Sequence, residues 1–104
     1  MPMKLTYTET RPSTSVPFVD IDQETAEYIN QNYNTYMTGH MQFTFSDDNL
    51  TRTSVVFWDD DVRFQDYAND QKIASAALTK QHKCEELGIT RDFNMVHVNS
   101  NIIL

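Results

Sequence analysis

The chain has 104 residues, which suits one domain, spanning 1–104, with a modest core and leaves no room for two. Fifteen acidic residues against eight basic ones give a net charge of −7, which speaks against a phosphate-reading nucleic-acid binder and against docking on anionic lipid. A single cysteine can form no internal disulfide, so a reducing, cytoplasmic setting is the expectation. The composition, 39% hydrophobic and 22% charged, is that of a globular chain. No stretch approaches the ~18 apolar residues of a membrane span. Met1 to Thr10 lacks the basic cluster and apolar run of a secretory signal. With glycine only at Gly39 and Gly88, a glycine-rich phosphate cradle is excluded.

Met3, Leu5 and Tyr7 alternate with Lys4, Thr6 and Thr8, the period of a half-buried strand. A loop with Pro12 and Pro17 follows. Asp20 or Asp22 can cap the next helix, and Asp20 with Gln23 resembles a capping box. Ile29, Tyr33 and Tyr36 share one face of that helix, and Gly39 marks its exit. Met41, Phe43 and Phe45 then alternate as a second strand. Asp47-Asp48-Asn49 signals a turn into a third, Leu50 to Trp58. Val62, Tyr67 and Ala68 predict a short helix that breaks near Asn69-Asp70. Ile73, Ala77, Cys84 and Leu87 form the stripe of a longer one, with Lys80 on the same stripe placed to snorkel to water. Gly88 closes it as a left-handed cap, with Ile89 making the accompanying apolar contact. Thr90 to Asn99 reads as the fourth strand.

The order strand, helix, strand, strand, helix, strand predicts an α+β, ferredoxin-like βαββαβ fold: one antiparallel sheet with its helices on one face. The third strand is apolar on both sides, Val55 and Phe57 against Val56 and Trp58. The fourth sets Phe93 and Met95 against Val96 and Val98. A sheet with one wet face should alternate more cleanly, so a homodimer packed sheet to sheet is expected. The apolar tail Ile102-Ile103-Leu104 is expected to cross to the neighbouring subunit. Folding back on its own helices is the competing arrangement.

The run Thr51-Arg52-Thr53-Ser54-Val55-Val56-Phe57-Trp58-Asp59-Asp60-Asp61, followed by Phe64 and Tyr67-Ala68, resembles the strand-then-helix segment of the dimeric α+β-barrel superfamily. Antibiotic-biosynthesis-monooxygenase-like proteins belong to that group. The resemblance spans nearly the whole chain in element order and about twenty residues in motif. It implies a fold and leaves several activities open, from cofactor-free oxygenases to haem-degrading enzymes. The haem-degrading members join an asparagine on the first strand, a tryptophan, and a haem-ligating histidine soon after it on the helix. Trp58 matches the tryptophan, but Lys4 to Thr10 holds no asparagine and His82 lies 24 residues beyond Trp58. Haem chemistry is therefore not carried over, and no cofactor is expected.

Other chemistry is thin. Asp59-Asp60-Asp61 points in different directions at a helix start, which favours capping over a cation cage. His82 and Cys84, two apart on a helix, cannot meet as base and nucleophile, and Cys84 reads as a small core residue. His40, His82, His97 and Cys84 show no metal-ligand spacing, so no metal is expected. His97 falls on the face of Phe93 and Met95, where partial burial is expected. It reads as a structural histidine or, alternatively, as a proton carrier beside an apolar ligand. Arg52 pairs either with a protein carboxylate or with one on a ligand.

Tyr7, Tyr33, Trp58, Phe64, Tyr67 and Met95 come from different elements and can converge between helices and sheet. With Arg52 and His97 they form the candidate ligand-binding set. Three functions stay open. The first is binding of an elongated apolar small molecule, an acyl chain or a polycyclic aromatic. The second is a structural or regulatory homodimer with a filled core, and the third a cofactor-free monooxygenase.

Overall fold

A computed structural model describes residues 2–97. The elements in chain order are β1 (Met3–Thr10), α1 (Gln23–Tyr33), a 3-10 turn (Asn34–Tyr36), β2 (Met37–Thr38), β3 (Thr44–Phe45), β4 (Thr51–Trp58), α2 (Asp61–Asn69), α3 (Gln71–Leu87) and β5 (Thr90–His97). The sheet order is β2-β4-β1-β5, with β3 also on β4, and every pairing is antiparallel. This is the ferredoxin-like arrangement with its second strand split in two. The tail Ile102-Ile103-Leu104 and Val98 lie outside the described residues.

The split differs from the continuous strand that Met41, Phe43 and Phe45 predict. Gly39 sits at φ 90° and Met41 at φ 62°, both in the left-handed region. The Gln42 N–H bonds back to the Gly39 carbonyl at 3.2 Å, closing a turn inside the strand. Gly39 is required there twice over. Its φ suits glycine, and a Cβ would collide with the backbone carbonyl oxygen of Val55. Residues 39–43 consequently leave the sheet.

Helix boundaries follow their caps. The Asp22 carboxylate accepts the Thr25 N–H at 3.0 Å, so Asp22 opens α1, and Asp20 is released to bind elsewhere. Asp60 caps α2 through the Val62 N–H, and Asp70 caps α3 through the Lys72 N–H. Gly88 ends α3 at φ 74°, and the Ile89 N–H closes on the Cys84 carbonyl at 2.8 Å.

Strand register puts Met3 opposite Trp58, Leu5 opposite Val56, Tyr7 opposite Ser54 and Glu9 opposite Arg52. These side chains share the face on which Ile29 of α1 and Ile73 of α3 complete the core. The opposite face carries Thr6, Thr8, Thr51, Thr53, Val55 and Phe57, all half-buried. Burial on both faces was expected. Within one chain only the helix face is covered, and only over β1 and β4, because the helices pack there while the residues opposite shield one another only sideways.

Candidate functional site

Helices and sheet do not close completely on one another. A cavity of about 250 Å³ lies between them. Trp58, Val56, Ile29, Ile73 and Met37 form its apolar wall, while Tyr7, Glu9, His40, Lys80 and Arg91 supply polar groups. Residues 39–43, displaced from the sheet by the turn at Gly39, contribute His40, Met41 and Phe43.

Around Trp58 the rings pack in tilted and edge-to-face pairs. The Trp58 centroid lies 5.1 Å from Tyr67, 5.7 Å from Phe64 and 6.3 Å from Tyr33. Such pairs add about 0.5–1.5 kcal/mol each beyond their buried area. Tyr33 is anchored at its far end, where its hydroxyl donates to Asp70 Oδ2 at 2.9 Å. The Tyr28 hydroxyl donates to the same oxygen at 2.6 Å. Desolvation and the Asp70 carboxylate push the Tyr33 hydroxyl up to about 12. One acid therefore caps α3 and ties α1 to it.

The polar end is built around Glu9. Strand alternation carries it onto the core face after Met3, Leu5 and Tyr7, and only 4% of it is exposed. Its Oε1 accepts from Arg52 Nε at 2.7 Å. Its Oε2 meets Arg91 Nε at 2.9 Å and Lys80 Nζ at 3.2 Å. Burial pushes the Glu9 carboxyl up, but Lys80 and Arg52 together hold it below the ordinary glutamate value. Arg52 is also fully engaged. Nη1 lies 2.9 Å from Asp20, Nη2 donates to the Val19 carbonyl at 3.0 Å, and the Phe18 and Phe43 rings flank the guanidinium at 4.7 and 4.1 Å. The Arg91 Nη1 donates to Gln81 at 2.8 Å.

Other polar groups in the wall have no protein partner among the described residues. His40 Nε2 is shielded from solvent and makes no hydrogen bond. Burial, reinforced by the Lys80 charge, lowers the His40 pKa, which favours the neutral imidazole. The hydroxyls of Tyr7 and Tyr67 are raised chiefly by desolvation and stay protonated. Neither bonds to a protein group among the described residues.

Of the side chains singled out from the sequence, Tyr7, Trp58 and Tyr67 line the cavity. Tyr33 and Phe64 stand behind Trp58 as packed rings. Arg52 turns to Glu9 and Asp20, the protein carboxylates. Met95 is 43% exposed on the edge strand, away from the cavity wall. His97 was expected to be partly buried, but its side chain is 48% exposed, 3.7 Å from Asp61, because the helices leave that end of β5 uncovered. Glu9, His40, Lys80 and Arg91 were missed. The signal for two of them was present: a carboxylate continuing the alternation of β1, and a lysine on the apolar stripe of α3. Among the described residues no cluster of His, Cys, Asp and Glu could hold a metal ion. No helix of these residues is long and apolar enough to cross a membrane.

The same fold occurs in two solved structures. SnoaB, a cofactor-independent oxygenase from Streptomyces nogalater, superposes with a TM-score of 0.58 at 13% identity, over 95% of this chain and 94% of that one. A Deinococcus radiodurans protein named for antibiotic biosynthesis monooxygenases gives 0.50 at 11% identity, over 94% and 93%. The chain therefore shares the ferredoxin-like α+β fold of these two proteins. At these identities the likeness is one of fold. No protein-family model and no curated protein matches the sequence.

Proposed function

We propose that the protein binds a small apolar molecule in the cavity between its helices and its sheet. The observation that carries this reading is the cavity itself, walled by Trp58 and bordered by His40, whose buried Nε2 makes no hydrogen bond among the described residues. Buried polar groups are normally paired, and a ligand is one way to pair them. A volume of about 250 Å³ falls just below the ~300–1,000 Å³ of ordinary ligand pockets. The occupant is accordingly a short acyl chain or a compact aromatic rather than a long chain. Trp58 is the sole tryptophan and reports directly on occupancy. Titration with 2-methylnaphthalene should change its emission saturably, and Ala77→Phe, which fills the cavity, should abolish the change. A linear response, or one unaltered by Ala77→Phe, rejects the cavity as the site.

The half-buried face around Val55 and Phe57 supports a homodimer formed sheet to sheet, at roughly 800 Å² per partner. Light scattering at micromolar concentration should return the mass of two chains. The likeness to SnoaB supports a second reading, cofactor-free oxygenation of the bound molecule. Oxygen uptake with quinol-type substrates tests it.

A further inference from the structure

The charge around Glu9 is unbalanced, in the direction opposite to the protein as a whole. Two acids, Glu9 and Asp20, meet three bases, Arg52, Lys80 and Arg91, in a chain whose net charge is −7. Arg52 spends its donors on Glu9, Asp20 and Val19. The surplus therefore rests on Lys80 and Arg91, both held on the same oxygen of Glu9, so that their charges are neighbours. Lys80 has three donor hydrogens and, among the described residues, one protein partner, with only 17% of its side chain exposed. An ammonium so placed has given up most of its water without being matched by protein acceptors. Both bases, with the unpartnered His40 Nε2, border the cavity whose remaining wall is apolar.

We propose that the occupant is an amphipathic acid: an apolar body against Trp58 and Ile73, and one oxyanion seated on Lys80 and Arg91 with His40 as an added hydrogen-bonding group. One negative charge brings the cluster to neutrality and supplies the acceptors that Lys80 lacks. A neutral ligand leaves the surplus in place, and a dianion reverses it. Glu9 acts as a positioning residue, holding the two cations side by side.

The inference rests on the cavity being a binding site, and the experiment separates the two. Trp58 emission is titrated with 2-naphthoate and with 2-naphthamide, which share a ring system and differ in charge. Naphthoate should bind at least ten-fold more tightly. Lys80→Met keeps the apolar stem and removes the charge, so it should erase that preference. Equal binding of the two probes by the unaltered protein overturns the acid-binding inference and leaves the cavity reading intact. So does a preference that survives Lys80→Met. Failure of both probes to bind overturns both.

Discussion

The helix-facing side of the sheet has two ends that solve burial in different ways. At one end Met3, Leu5, Val56 and Trp58 meet Ile29 and Ile73, and stability comes from apolar area removed from water. At the other, the same two strands continue with Glu9 and Arg52, equally buried, and burial succeeds only because each charge has a partner. The cavity lies where these two ends meet. Neither end alone makes a ligand site: the apolar end has no directed groups, and the charged end has no wall.

Breaking the apolar end should have the largest effect. Trp58→Ala removes the ring on which Tyr33, Phe64 and Tyr67 lean, and should cost about 4 kcal/mol in urea unfolding. Trp58→Phe should recover most of it.

At the charged end, Glu9→Leu leaves three cations around an uncharged side chain and should cost about 3 kcal/mol at neutral pH. Adding Arg52→Leu should make the double variant markedly less unstable than the sum of the two single ones. Strict additivity would show that the pair is not coupled. The pH dependence has a definite sign. The folded Glu9 carboxyl titrates below its ordinary value of 4.5, so its contribution is complete above that pH and is lost as pH falls through the folded value. Stability curves of the natural protein and Glu9→Leu should therefore converge below about pH 4.5.

Gly39→Ala sharpens the comparison at the junction. A methyl there meets the backbone carbonyl of Val55, which the sheet holds in place, on top of an unfavourable φ. A loss of about 2 kcal/mol and a weakened response of Trp58 to naphthalene probes are expected. Asp70→Ala should cost about 1 kcal/mol, since it removes the cap of α3 and the acceptor of Tyr28 and Tyr33. The smallest effect belongs to His40. Its folded pKa lies below 6.5, so stability falls as pH drops through that value, and His40→Gln should flatten this part of the profile.

Much of the architecture was legible because it is written in short-range terms. Alternation in Met3-Leu5-Tyr7, the left-handed cap at Gly88 and the break at Asp70 each depend on a few neighbouring residues. The split second strand was not legible. Met41, Phe43 and Phe45 have the strand period, and only the approach of Gly39 to Val55 shows why the chain must leave the sheet there. Trp58, Tyr67 and Tyr7 were legible as aromatic residues from separate elements facing inward. Which of the rings would border open space and which would fill it depends on side-chain volumes packed in three dimensions.

The sequence by itself determined the order of the main strands and helices, the left-handed cap at Gly88 and the inward face of β1, since period and capping chemistry are properties of adjacent residues. The tertiary structure alone decided that Glu9, Arg52, Lys80 and Arg91 form one charged cluster beside a cavity. Those residues come from four separate positions of the chain. Their charges become a shared property only when antiparallel register and the docking of α3 bring them within hydrogen-bonding distance and exclude the water that would otherwise screen them.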